Sequence, residues 1–387
     1  MLTKITLDNF KSFKNKTVVD LTKTNYTILP QNVADNGVLK GCIFVGANAS
    51  GKSTIILAVK LLLDLLFSER NINSGMFLCM FGDTNKYSLS YEFLIENKTI
   101  SYSFEVDVAK KMISESLYID NKLLLQRMGL SAKSYIADSN GINYDEDDVG
   151  KDSLFLRTLY FNTKFASNST LGSWMDCLKK SFYVNMFKGE IVSYGKRDMT
   201  IATYLDNGGC EVINNFFDEY NFEQKVEFVH STSGGKISFV AGEDEDVKTV
   251  FFKRKGIEVP IPFFEESLGN QNLLRILPVF LSAINNGGML LIDEFSSGFH
   301  NELESLLVRY FMEKANHAQM LFVSHSTNLL SNSILRPDQE YSVEFQDQNG
   351  STVRRFSSEQ PRSAQNIEKM YVSGVFGGLP EYSCKTK

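Results

Sequence analysis

Eight consecutive residues carry the strongest chemical signal in the chain. Gly46-Ala47-Asn48-Ala49-Ser50-Gly51-Lys52-Ser53 satisfies G-x-x-x-x-G-K-[ST], a pattern whose small residues let backbone N–H groups wrap around phosphate oxygens. An apolar run, Ile43-Phe44-Val45, precedes it and a helical pattern follows, so the loop opens at a helix N-terminus, where the macrodipole also favours anions. Lys52 adds a point charge for the β- and γ-phosphates, and the Ser53 hydroxyl is a magnesium ligand in such loops. Gly46, Asn48, Ser50, Gly51, Lys52, Ser53 and Thr54 are therefore the expected nucleotide-binding residues, with Mg2+ and a nucleoside triphosphate as ligands. No N/T-K-x-D stretch for reading guanine exists: Asn85-Lys86 and Asn121-Lys122 are followed two residues later by Ser88 and Leu124. ATP is the expected nucleotide.

A second site should hold the metal from the other side. Gly288-Met289-Leu290-Leu291-Ile292-Asp293-Glu294 is an apolar strand ending in two carboxylates. Asp293 suits magnesium coordination, and Glu294 can polarise an attacking water. Two acids after a strand often merely cap the next helix; the complete phosphate loop gives this pair its chemical meaning. Leu321-Phe322-Val323-Ser324-His325-Ser326 supplies a third element. The 32 residues from Asp293 to His325 leave room for one helix and the next parallel strand, which puts His325 at a neighbouring strand end. A lone histidine there is usually a local hydrogen-bonder; beside the other two motifs it reads as a γ-phosphate sensor.

The elements that must position these groups are legible from periodicity. Ser53 to about Phe67 is helical, with Ile56, Val59, Leu63 and Phe67 on one face. Tyr87 to Gln126 alternates as a meander of short strands. Asp138 to Asp152 is an acidic, polar loop, and Ser153 to Tyr220 reads as mostly helical, broken near Gly172 and at Gly208-Gly209. Strands return between Val226 and Val259. Beyond Ser267 comes helix, strand, helix, strand, the alternation of a covered parallel sheet. The fold class is α/β: a mixed or parallel sheet with flanking helices and a β-meander, interrupted by a mostly helical lobe. The expected domain boundaries are 1–135, 136–225 for the inserted lobe, and 226–387.

Composition sets wide bounds. The chain has 387 residues, 43% hydrophobic and 22% charged, which excludes a disordered or collagenous protein. Its five cysteines are scattered without CxxC spacing and read as reduced thiols. A formal charge of −6 demands no nucleic-acid partner, although a local basic stripe remains compatible with it. The longest apolar stretch, Ile55 to Phe67, is interrupted by Lys60 and Asp64 and is too short for a bilayer. A soluble, cytoplasmic protein without a membrane partner is expected.

A phosphate loop, an Asp-Glu pair and a switch histidine in this order resemble the ABC-type ATPase heads of the SMC, RecF and OLD group. In that group a signature segment completes the site in trans. Glu266-Ser267-Leu268-Gly269-Asn270-Gln271 is similar to its S-x-G core, with Ser267 26 residues before Asp293. The resemblance therefore implies that Ser267 and Gly269 act on the opposing nucleotide; on its own residues, Ser267 is simply a helix cap. The opening Leu7-Asp8-Asn9-Phe10-Lys11-Ser12-Phe13 is similar to the first strand of RecF and SMC heads. The tail, Asn366 to Tyr371 followed by Gly374-Val375-Phe376-Gly377-Gly378-Leu379-Pro380, resembles standalone AAA-type ATPases of bacterial defence operons, the RloA, AbiL and AriA kind.

That resemblance implies an ATPase that forms a homodimer or higher homo-oligomer on ATP and controls a separate effector nuclease in antiphage defence. The alternative is a DNA-repair ATPase of the RecF or SMC kind that clamps DNA directly, using clusters such as Lys179-Lys180 or Lys253-Arg254-Lys255. A built-in nuclease of the OLD type is disfavoured, since 62 residues follow His325. The acidic runs Asp145 to Asp148 and Glu243 to Asp246 read as solvated turns. Two departures stand out: His300 occupies the D-loop place, and no Q-loop glutamine is assignable.

Overall fold

A computed structural model describes residues 1–68, 70–72, 75–136, 144–195, 201–230 and 248–379. The chain opens with β1 (Leu2–Asp8) and β2 (Thr17–Asp20), then β3 (Gly41–Val45) feeds α1 (Lys52–Phe67). A meander follows: β4 (Lys86–Ile95), β5 (Lys98–Asp107), β6 (Met112–Ile119), β7 (Lys122–Met128), β8 (Ser131–Ser134) and β9 (Asp145–Glu146). Next come α2 (Phe155–Thr163), α3 (Ser169–Lys179), β10 (Phe182–Asn185), β11 (Glu190–Ser193), α4 (Ile201–Tyr204) and α5 (Cys210–Glu219). Then follow β12 (Gln224–His230), β13 (Lys248–Arg254), β14 (Ile261–Pro262), α6 (Leu268–Asn286), β15 (Gly288–Asp293) and α7 (Asn301–Lys314). The chain closes on β16 (Ala318–Val323), β17 (Glu340–Phe345), β18 (Ser351–Arg355) and α8 (Ile367–Val372).

Two compact units divide the chain: Met1–Gly195 with Ala283–Ser297 and Asn301–Lys387, and Lys196–Ser282 with Gly298–His300. The first holds two sheets. One is antiparallel, in the order β2-β1-β4-β5-β6-β7-β8-β9; the other runs β11-β10-β15-β16-β3-β17-β18, its five central strands parallel. Strict alternation along β4 and β5 turns Tyr87, Leu89, Tyr91, Phe93, Tyr102 and Phe104 inward, so the meander buries one face. The parallel strands β15 and β16 are buried throughout, as strands covered on both faces must be.

Helix α1 shares the core with both sheets. Ile55, Ile56, Ala58, Val59, Leu61, Leu62, Leu63, Leu65 and Leu66 are all buried, a far wider apolar surface than the single face read from periodicity. The Tyr91 hydroxyl donates to the Ala58 carbonyl at 2.7 Å, pinning helix to meander. A second anchor is ionic. Glu115 on β6, fully buried, accepts from Arg127, from the Tyr102 hydroxyl and from the first backbone amides of α2, Phe155 and Leu156. Helix α2 has no side-chain cap of its own, and the distant carboxylate takes that role.

Three expectations need correction. The stretch from Ser153 to Tyr220 is mostly helical but also holds two strands: Phe182-Tyr183-Val184-Asn185 forms β10, parallel to β15 with Asn185 opposite Asp293, and β11 pairs back on it. This pairing carries residues up to Gly195 into the first unit. Gly172 lies inside α3; the helical break falls earlier, at Lys164 and Phe165, both with φ 51°, and Asn168 caps the new helix. Of the acidic runs, Asp145 and Glu146 form β9, whereas Glu243 to Asp246 lie outside the described residues.

The second unit contains the antiparallel order β12-β13-β14 and the helices α4 and α5. Among the described residues no helix is long and apolar enough to cross a membrane, and no cysteine is bridged.

One core residue titrates against the fold. Glu340, the first residue of β17, is fully buried and neither carboxyl oxygen has a hydrogen-bond partner within the protein. Burial first, then the charge of Asp338, push its carboxyl well above the usual range. The folded chain keeps a proton that the unfolded chain sheds above its ordinary value of about 4.3. Stability from this group is therefore complete below that value and declines as pH rises toward the folded value. Glu340→Gln should flatten the loss of melting temperature between about pH 5 and 7. Parallel wild-type and variant profiles would contradict the assignment.

Candidate nucleotide site

The site lies at one edge of the parallel sheet in the first unit. Register puts Val323 opposite Phe44 and Asn185 opposite Asp293, so the ends of β10, β15, β16 and β3 stand side by side. The phosphate loop leaves β3 through Gly46, at φ 150°, where a Cβ would lie 2.2 Å from the Val343 carbonyl oxygen. Gly51, at φ 107°, is as tightly held: a Cβ there would meet the hydroxyls of Ser351 and Ser12 at 2.4 and 2.7 Å. Both glycines are demanded by close approach as well as by conformation. Ser351 donates to the Ser50 carbonyl at 2.6 Å and fixes the loop from outside.

Gly51 caps α1 without a side chain, so no cap competes with an anion for the Lys52 and Ser53 amides. Lys52 is buried and its ammonium donates to the Gly46 and Ala47 carbonyls, at 3.0 and 2.7 Å. Burial lowers its pKa, and the charges of Glu294 and Asp293 work against that shift. The buried Ser50 hydroxyl has no partner within the protein. Asn48 and Ala49 are exposed at the loop's crest.

Ser53 and Asp293, 240 residues apart in sequence, meet at 2.7 Å, hydroxyl donating to Oδ1. Asn185 donates to the other oxygen, Oδ2, at 3.3 Å, and its own carbonyl oxygen accepts the Lys188 amide. Burial, with Glu294 adding to it, raises the Asp293 pKa; the Ser53 hydrogen bond opposes the rise. Glu294 follows with φ 58°, a left-handed conformation that a side chain of this kind rarely takes. Its Oε2 lies 3.5 Å from the His325 Nε2. The His325 amide in turn donates to the Ser296 hydroxyl at 3.2 Å.

These groups fit Mg2+ and a triphosphate. A hydroxyl and a carboxylate already converge on one point, as a hard cation requires, and a buried orphan hydroxyl plus open helix amides line the anion side. Bound there through Ser53 and Asp293, magnesium would supply charge neutralisation at the phosphates. Lys52, Ser53, Asp293, Glu294 and His325 are thus brought together, with Thr54 in the first turn of α1, its amide bonded to the Gly51 carbonyl at 3.0 Å. Ser267 and Gly269 belong to the second unit. There Ser267 is exposed and its hydroxyl accepts the Asn270 amide at 3.4 Å at the head of α6. Gly269 approaches the Gly298 carbonyl so closely that a Cβ would lie at 2.8 Å.

Asn185 is the functional neighbour that sequence reasoning missed. Its signal was present: a polar residue directly after the short apolar run Phe182-Tyr183-Val184, as Asp293 follows the apolar run of β15 and Ser324 that of β16.

Comparison with known proteins agrees with this geometry. The sequence profile of a family described as "AAA domain, putative AbiEii toxin, Type IV TA system" matches residues 43–331, well over half of the chain. The chain belongs to this family. Among solved structures, the SMC head bound to the C-winged helix domain of ScpA has a TM-score of 0.50 at 14% identity, covering 91% of this chain and 96% of its own. The SMC head domain from Thermotoga maritima, at 14% identity and TM-score 0.47, covers 91% of this chain and 97% of its own. No curated protein matches. The AAA domain described here is thus a P-loop ATPase domain with the fold of an SMC head.

Two substitutions test the site. Lys52→Ala should abolish ATP binding in a fluorescent-analogue titration while the melting temperature is retained; normal affinity in the folded variant would refute the phosphate assignment. Asn185→Leu removes the bond that orients Asp293, and should raise the Mg2+ concentration needed for tight ATP binding at least about tenfold.

Proposed function

We propose that this AAA domain hydrolyses ATP with Mg2+, closing as a homodimer in which one copy's phosphate loop and the other's Ser267 segment enclose the nucleotide. The observation that carries the hydrolytic reading is the pairing of Glu294 and His325 at 3.5 Å beside the Ser53–Asp293 bond. Glu294 takes a proton from the attacking water, and His325 reads the γ-phosphate and holds the glutamate in place. Lys52 and the loop amides stabilise charge on the transferring group. Ser267 and Gly269, exposed or half-buried at the head of α6, supply a hydroxyl and a helix N-terminus to a phosphate of the opposing copy.

Closure then gates a separate effector, a nuclease, in cytoplasmic antiphage defence. Support comes from the family description, which names a toxin system, and from the absence of any metal-binding acidic cluster among the described residues.

Glu294→Gln keeps shape but accepts no proton, so it should bind ATP, lose about 10²–10⁴-fold in hydrolysis rate and accumulate the closed form. Light scattering should report ATP-dependent association of that variant, and adding Ser267→Arg should reverse it. A monomer at saturating ATP would eliminate the sandwich. Incubation with plasmid DNA or tRNA should show cleavage only when the neighbouring gene product is added; cutting by this chain alone, retained in Lys52→Ala, would make it the nuclease instead.

A further inference from the structure

The sequence marks a tail that the nucleotide site leaves unexplained, and the fold shows where it goes. After α8 the chain turns through Gly374 and runs back along β17 as far as the phosphate loop. The Ala47 amide, second residue of that loop, donates to the Gly378 carbonyl at 2.8 Å. Gly378 is buried at φ 77°, where a Cβ would lie 3.1 Å from Ser342 Cβ and 3.3 Å from the Val343 oxygen. The same Val343 oxygen abuts Gly46, so tail, strand and phosphate loop are stacked backbone on backbone. Phe376 seats the segment. It is fully buried, its ring lies parallel to Phe356 at a centroid separation of 3.9 Å, and its carbonyl accepts the Ser342 hydroxyl at 2.5 Å.

The other end of the same segment reaches the histidine loop. Glu368 on α8 accepts the Thr327 hydroxyl at 2.7 Å, two residues beyond His325. Within one short stretch, therefore, the chain holds the loop that wraps phosphate and the loop that carries the γ-phosphate sensor. Both contacts end on polar backbone or hydroxyl groups of the site.

We propose that residues 366–379 are a positioning clasp that joins the phosphate loop to the His325 loop, so that the tail responds to the nucleotide without touching it. This inference rests on the ATP reading for its ligand, but the clasp itself is a property of the chain. Seated, it fixes the Ala47 peptide plane and the height of the Ser326-Thr327 turn together. When a γ-phosphate draws His325, the pull passes through Thr327 to Glu368 and along the tail to Gly378.

Hydrogen exchange by mass spectrometry, with substitutions that remove single hydroxyls, tests it. In nucleotide-free protein, Ser342→Ala should accelerate exchange at the Ala47 amide about fivefold, the factor for one ordinary hydrogen bond. Unchanged exchange there would overturn the clasp, whatever the protein binds. With Mg·ATP, the wild type should slow exchange across 366–379 as well as across the phosphate loop, and Lys52→Ala should abolish both effects. Protection of the phosphate loop with no change in the tail would overturn the coupling. Kinetics separate the two ends: Ser342→Ala should raise KM for ATP with kcat nearly kept, and Thr327→Val should lower kcat with KM nearly kept. Equal effects on both constants in both variants would mean a merely structural tail. A wild type whose phosphate loop ignores ATP would refute the ATP reading instead, leaving the nucleotide-free exchange to decide the clasp.

Discussion

The parts of the candidate site meet at one hydrogen bond, from the Ser53 hydroxyl to Asp293 Oδ1. It closes a loop of 240 residues, and a closure of that length is possible only because the parallel register has already paid the entropy. β3 and β15 are not neighbours; β16 lies between them and leads into His325. The order of strands thus sets the three motifs at fixed lateral intervals, near 4.8 Å per strand, before any side chain is chosen. The side chains then complete a geometry the backbone has made. Asn185 extends the same row by one strand on the far side of β15, which is why Asp293 is held at both oxygens.

The placement of the phosphate loop, the Asp-Glu pair and the histidine was legible in the sequence because each stands at or directly after the end of an apolar strand. The 32-residue spacing from Asp293 to His325 is realised as β15, α7 and β16. What was not legible has physical reasons. β10 is four residues long, follows two helices, and pairs in parallel with a strand more than a hundred residues later, so no local periodicity marks it. α1 was read as one apolar face because a single-face template counts only one stripe; its packing between two sheets shows only when both sheets exist. Glu340 was not legible for a third reason: it follows Asp338 and Gln339 in a polar run, so nothing local marks it as a core residue.

The buried ionic and polar anchors divide the work. Glu115 and Arg127 tie the meander to α2, while Asp64 gathers Lys60, Arg70 and the Tyr194 hydroxyl behind α1. Glu115, Arg127 and Asp64 are close to fully desolvated, so each would be costly alone and is tolerated only as part of a satisfied set. Their effect is specificity of arrangement more than net stability. Asp64 in particular connects the phosphate-loop helix to the strand pair that bears Asn185, since Tyr194 directly follows β11 and Lys60 lies over the Tyr183 ring of β10.

The burial of most of α1 has a mechanical meaning. Protein interiors are packed as densely as organic crystals and hardly compress. A helix gripped by two sheets, with Tyr91 holding its middle and Asp64 its end, cannot slide toward a ligand by itself. It is an anvil rather than a piston. Charge arriving at its N-terminus must therefore do its work on whatever faces the anvil from outside, and the compliant parts there are short turns at strand ends. Work delivered at the phosphates is spent at the protein's surface and not in its core.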